Sequence, residues 1–127
     1  MKLRFEQNSI RLRLRKPDIA ALRLNGFVQE TVVFPGAALM YMLRIAETHA
    51  LTASLSEIAI AIDLPAEMAA QWMNSDAVGI YQSVQVGKGQ ILKVTIEKDF
   101  SCKDRPHENK ADTFTEMADQ DGHTGAC

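Results

Sequence analysis

The residues best placed to do chemistry lie towards the two ends of the chain. In "NSIRLRLRKPDI", residues 8–19, Arg11, Arg13 and Arg15 alternate with Ile10, Leu12 and Leu14. Such alternation marks a strand with one buried face. The outward side chains of a strand rising about 3.3 Å per residue repeat about every 7 Å. That spacing is comparable to the distance between phosphates on a nucleic-acid strand, and neutralising phosphates makes binding salt-dependent. Lys2 and Arg4 on a neighbouring strand, together with Lys16, widen the row into a basic patch. The competing reading is a solvated strand face whose charge resists aggregation. An acidic pI of about 5.9 and the absence of interleaved aromatic residues favour it.

At the other end, Cys102, His107, His123 and Cys127 form C-x4-H-x15-H-x3-C. Thiolates and imidazoles with such paired spacings can close a tetrahedral zinc site, and metal binding would order the segment that carries them. Cys102 with His107 is also the pair closest to a nucleophile and its base. The flanking Asp99 and Asp104 would raise a thiol pKa rather than lower it, and no oxyanion hole is signalled. Gly87 and Gly89 lack the Lys-Ser/Thr ending of a phosphate loop. A non-catalytic protein is therefore expected, with an enzyme using Cys102 a distant alternative.

The chain has 127 residues, of which 46% are apolar and 24% charged, enough for one soluble domain with its own core. No apolar run reaches the roughly 18 residues of a membrane helix. No secretory signal is evident at "MKLRFEQNS". A cytoplasmic protein with no membrane partner is expected. The net charge of −2 hides a basic head and a tail rich in acids. From residue 104 to 127 the chain is too poor in aliphatic residues to offset its ordering entropy, which implies a flexible acidic tail.

At an offset of 48 the sequence matches itself: "IRLRLRKP" (10–17) falls over "IAIAIDLP" (58–65), Leu24 over Trp72, and Thr31-Val32-Val33 over Gly79-Ile80-Tyr81. Each half then reads as strand, turn, alternating strand, short helix opened by a proline, strand, turn, strand. Asp18 and Glu67 suit the first helical turns, and Gly26 and Asn74 suit left-handed C-caps. Met68, Ala69, Trp72 and Met73 make the apolar stripe of the second helix, and Ile19, Leu22 and Leu24 that of the first. The expected fold is α+β: residues 1–103 form an internally duplicated, mostly antiparallel β-barrel with two short helices, with copies at about 1–47 and 49–97. With its halves completing each other, the chain is expected to be a monomer with an internal pseudo-two-fold.

The unit running from "AIDLPAEMAAQWM" to "ILKVTIEKD" resembles the swapped-hairpin barrel of the AbrB and MazE class of transcription regulators. That resemblance implies a barrel closed by interleaved hairpins, with nucleic acid as partner; an acidic protein is the other anionic partner considered. Over its length the chain also resembles a family of small uncharacterised bacterial proteins that begin "MKLR…NSIRLRL" and carry "EKDF.C", here Glu97, Lys98, Asp99, Phe100 and Cys102. This second resemblance implies no activity.

Overall fold

The computed structural model describes residues 1–100 and 111–117. The element order is β1 (Lys2–Phe5), β2 (Ser9–Leu14), α1 (Lys16–Asn25), β3 (Phe27–Phe34) and β4 (Ala37–Ala46), and then β5 (Thr52–Leu55), β6 (Ala59–Pro65), α2 (Ala66–Met73), β7 (Gly79–Gln85) and β8 (Ile91–Lys98). A 3-10 turn follows at Thr115–Met117.

The strands form two four-stranded sheets, β1-β2-β8-β7 and β3-β4-β6-β5. Every hairpin is antiparallel, and each sheet is two hairpins joined through a parallel central pair, β2 with β8 and β4 with β6. The pairing therefore crosses the chain: the hairpin β1–β2 completes its sheet with β7–β8, and β5–β6 completes its own with β3–β4. This arrangement departs from the expected closed barrel, because among the described residues no ladder joins the two sheets. The edge strands β1 and β5 have only four residues each. Where β1 approaches β3 the link is made by polar groups instead: the Met1 ammonium donates to Glu30 Oε1 at 2.9 Å, and Tyr41 Oη donates to the Met1 carbonyl at 2.8 Å. Burial and the nearby Glu30 and Asp18 push the Tyr41 phenol above its usual pKa.

The core lies between the sheets. Leu12, Leu14, Leu43, Ile62, Leu64, Val94 and Ile96 are almost wholly buried, and each contributes about 1.5–3 kcal/mol relative to exposure. Ile19 and Leu22 of α1 and Ala69 and Trp72 of α2 enter the same core. Leu24, expected on the stripe of α1, is exposed instead, because it lies two residues beyond Leu22 and so on the far side of a 3.6-residue helix.

As far as the second helix, elements and burial recur with a spacing of 50, not 48: Ile10, Leu12, Leu14, Ile19 and Leu22 correspond to Ile60, Ile62, Leu64, Ala69 and Trp72, while the later strands recur further apart, with Val28 of β3 corresponding to Ile80 of β7. The prolines caused the difference. Pro17 lies inside the first turn of α1, whereas Pro65 is the residue before α2. Ile58, which the shorter offset made a core residue, is exposed before β6 begins. Gly26 does end α1 in the left-handed region, φ 79°, with its N–H on the Leu22 carbonyl. Asn74 does not copy it: its φ is −98°, and its N–H bonds the Ala70 carbonyl.

Candidate basic face on the first sheet

Because Leu12 and Leu14 face inward, Arg11 and Arg13 must face outward, and the β1 register sets Arg4 opposite Arg11 and Lys2 opposite Arg13. On the other side of β2 the parallel ladder adds Lys93, Thr95 and Glu97 of β8 to the same face. Arg15 follows directly after β2, and Asp99 after β8. Lys2, Arg4, Arg11, Arg13 and Arg15 thus share one surface, with two carboxylates among them, while Lys16 lies on α1.

Those carboxylates are the buried members. Glu97 lies 3.4 Å from Arg11 Nε and 3.6 Å from Arg13 Nε, and it accepts a 3.0 Å bond from Tyr81 Oη. Asp99 lies 2.9 Å from Lys2 Nζ and 3.9 Å from Arg15 Nε. Each carboxylate is shared by two bases. The Arg13 side chain, 12% exposed, also lies over the Phe100 ring at 5.4 Å. Arg4 is more exposed and meets Glu6 at 3.4 Å. Arg15 and Lys16 belong to the start of α1, where Asp18 accepts from the Arg15 N–H at 2.9 Å.

Residues 111–117 pack beside this start. The Lys16 N–H donates to the Asp112 carbonyl, the Phe114 N–H donates to the Asp99 carbonyl, and Lys16 Nζ lies 5.6 Å from the Phe114 ring centre and 4.0 Å from Glu116. Beneath them Lys98 is 3% exposed, donates to the Ser75 carbonyl at 2.6 Å and lies over Trp72 and Phe114. Burial pulls the Lys98 ammonium below its usual pKa, and Arg23 adds to this against Asp76 and Glu116.

Gly79 is placed by the same network. A Cβ there would lie 2.8 Å from the Ile96 carbonyl and 2.9 Å from Tyr81 Oη. The Tyr81 hydroxyl can reach Glu97 because nothing projects from Gly79. Gly79→Ala is therefore expected to cost about 2 kcal/mol through overpacking against backbone, measured as a fall in the urea midpoint with an unchanged slope.

Sequence reasoning found the bases but missed Lys93, Glu97 and Asp99 as their neighbours. The alternation of Lys93, Thr95, Glu97 and Asp99 was the available signal, but only the parallel register places it beside β2. Cys102, His107, His123 and Cys127 all lie outside the described residues. Among the described residues no group of His, Cys, Asp and Glu side chains could hold a metal ion. In the same residues no helix is long and apolar enough to cross a membrane.

The second sheet carries a related pair with the signs exchanged. Arg44 donates to Asp63 at 2.7 and 3.1 Å, and this bidentate bond raises the Arg44 pKa. By ladder register Asp63 stands where Arg13 stands in the first sheet, and Arg44 where Glu97 stands.

No curated protein and no solved structure matches the chain. The model of a family of unknown function, DUF7009, matches residues 1–118, and the chain belongs to that family.

Proposed function

We propose that the protein is a non-catalytic binding module of the bacterial cytoplasm, whose first-sheet face holds a nucleic-acid backbone. One observation carries this reading: Glu97 is shared between Arg11 and Arg13, and Asp99 between Lys2 and Arg15, which fixes four cationic side chains on one face. Arg4, paired with Glu6, and Lys93 lie at the exposed margins of the same face. The bases stand in strand-spaced rows, which suits phosphates read for position rather than for sequence. The crossed hairpins, and the burial pattern of β2 and α1 recurring 50 residues on in β6 and α2, support an internally duplicated relative of the AbrB and MazE swapped-hairpin fold, opened into two sheets.

The test is fluorescence anisotropy of labelled duplex and single-stranded DNA at low and near-physiological salt. A triple change of Arg11, Arg13 and Arg15 to glutamate is a poor control, because it places carboxylates against Glu97 and Asp99. Arg4→Glu with Lys93→Glu changes only the margins. Affinity should fall steeply with salt, as counterion release requires, and drop at least about 10-fold in the double variant while circular dichroism is unchanged. Absence of binding at low salt would leave the arginines as the solvated side of a strand. Equal binding to polyglutamate would replace nucleic acid with an acidic protein.

A further inference from the structure

The outer face of the second sheet repeats the strand positions of the basic face but not its chemistry. Where the first sheet has Arg11, Lys93 and Thr95, the second has Ala61, Met40 and Met42. No residue from Thr31 to Leu43 is charged. Phe27, Val33, Met40, Met42, Ala59 and Ala61 all face outward; Phe27 is 43% and Val33 81% exposed, and Met40, Met42, Ala59 and Ala61 are half-buried.

We propose that this face docks on the same face of a second copy, forming a two-fold dimer. Charge supports that occupant. Among the outward residues of β3, β4, β5 and β6 the only charges are Arg44 and Asp63, already bonded to each other. A two-fold axis close to this pair brings each Arg44 to the other copy's Asp63 and opposes no like charges. A polyanion would meet no excess of cations here. Taken over the lengths of β3, β4, β5 and β6 at about 4.8 Å spacing, the face measures about 450 Å², the size of a weak, concentration-dependent interface rather than of a standard one of about 800 Å² per partner. The β3–β4 tip, with Val33, extends past the last pairing with β6 at Met40 and lengthens the contact. The proposal departs from the monomer expected from sequence, and it stands whether or not the basic face binds nucleic acid.

Sedimentation of the full chain over a concentration series tests it. The wild type should pass from 14.1 kDa towards twice that mass. Val33→Glu and Ala61→Arg should each weaken the dimer at least about 30-fold, because each buries a charge without a partner. Val33 is exposed enough for its substitution to leave the fold intact, which circular dichroism checks. Leu55→Glu serves as the control. Leu55 lies at the opposite, apolar cleft of about 390 Å³ with Phe5, Ile60, Val86 and Leu92, and its change should leave the dimer unaltered. A chain that stays monomeric at its highest soluble concentration would overturn the proposal. So would a dimer that survives both face variants, or one lost only with Leu55→Glu.

Discussion

Replacing Glu97 with alanine is expected to cost about 3 kcal/mol of stability, at the lower end for removing one partner of a buried ion pair. The Glu97 side chain is 9% exposed and holds Arg11, Arg13 and the Tyr81 hydroxyl. Its loss leaves the Arg13 guanidinium, itself 12% exposed, in a poorly solvated position without its carboxylate. The Phe100 ring offsets only part of that loss, because a cation–π contact contributes about 0.5–2 kcal/mol. Urea denaturation of Glu97→Ala reads the total. Adding Arg13→Met should recover part of it, since it removes the buried charge that Glu97 faces. A double variant no better than the single one would show that Glu97 acts mainly through Tyr81.

Trp72→Ala is expected to be the more damaging change, at about 4 kcal/mol. Trp72 is 2% exposed in the core, donates from Nε1 to the Val78 carbonyl at 3.1 Å, and lies beneath the Lys98 ammonium. Truncation opens a large void, leaves the Val78 carbonyl without its donor and removes the ring over which a buried cation is held. Thermal and urea unfolding measured by circular dichroism would read the loss, since Trp72 is the chain's single tryptophan and its fluorescence disappears with it. Trp72→Phe separates the contributions. It keeps most of the volume and loses the hydrogen bond, so about half of the destabilisation should return.

Much of this fold was legible in the residue pattern. The alternation of Ile10, Leu12 and Leu14 gave a strand and its buried face, and Gly26 gave the end of α1. The recurrence of strand and helix was only partly legible: the prolines suggest an offset of 48 but occupy different places relative to the two helices, and from β1 to the second helix burial recurs at 50 instead. Closure into a barrel was not legible: it depends on whether the short edges of two sheets meet, which is a long-range matter that local patterning does not encode. The site was half legible for the same reason. The two arginines on β2 announce their own direction, but the carboxylate that holds them comes from a strand more than 80 residues away. Only the parallel register says that Glu97 faces Arg13.

The exchanged signs of the two central ion pairs bear on how the chain avoids folding wrongly. Four hairpins of similar shape could be assembled in two ways, with each half closing on itself or each half completing the other. Closing on itself would lay β2 beside β4 and β6 beside β8, which at the same register sets Arg13 against Arg44 and Asp63 against Glu97. Both contacts would be repulsive, and the burial of Arg13 and Glu97 magnifies the repulsion on the first sheet's side. The crossed assembly turns the same four residues into two attractive pairs. A hydrophobic pattern repeated in both halves cannot distinguish these alternatives, so the polarity of four side chains acts as the address label that sends each hairpin to its proper neighbour.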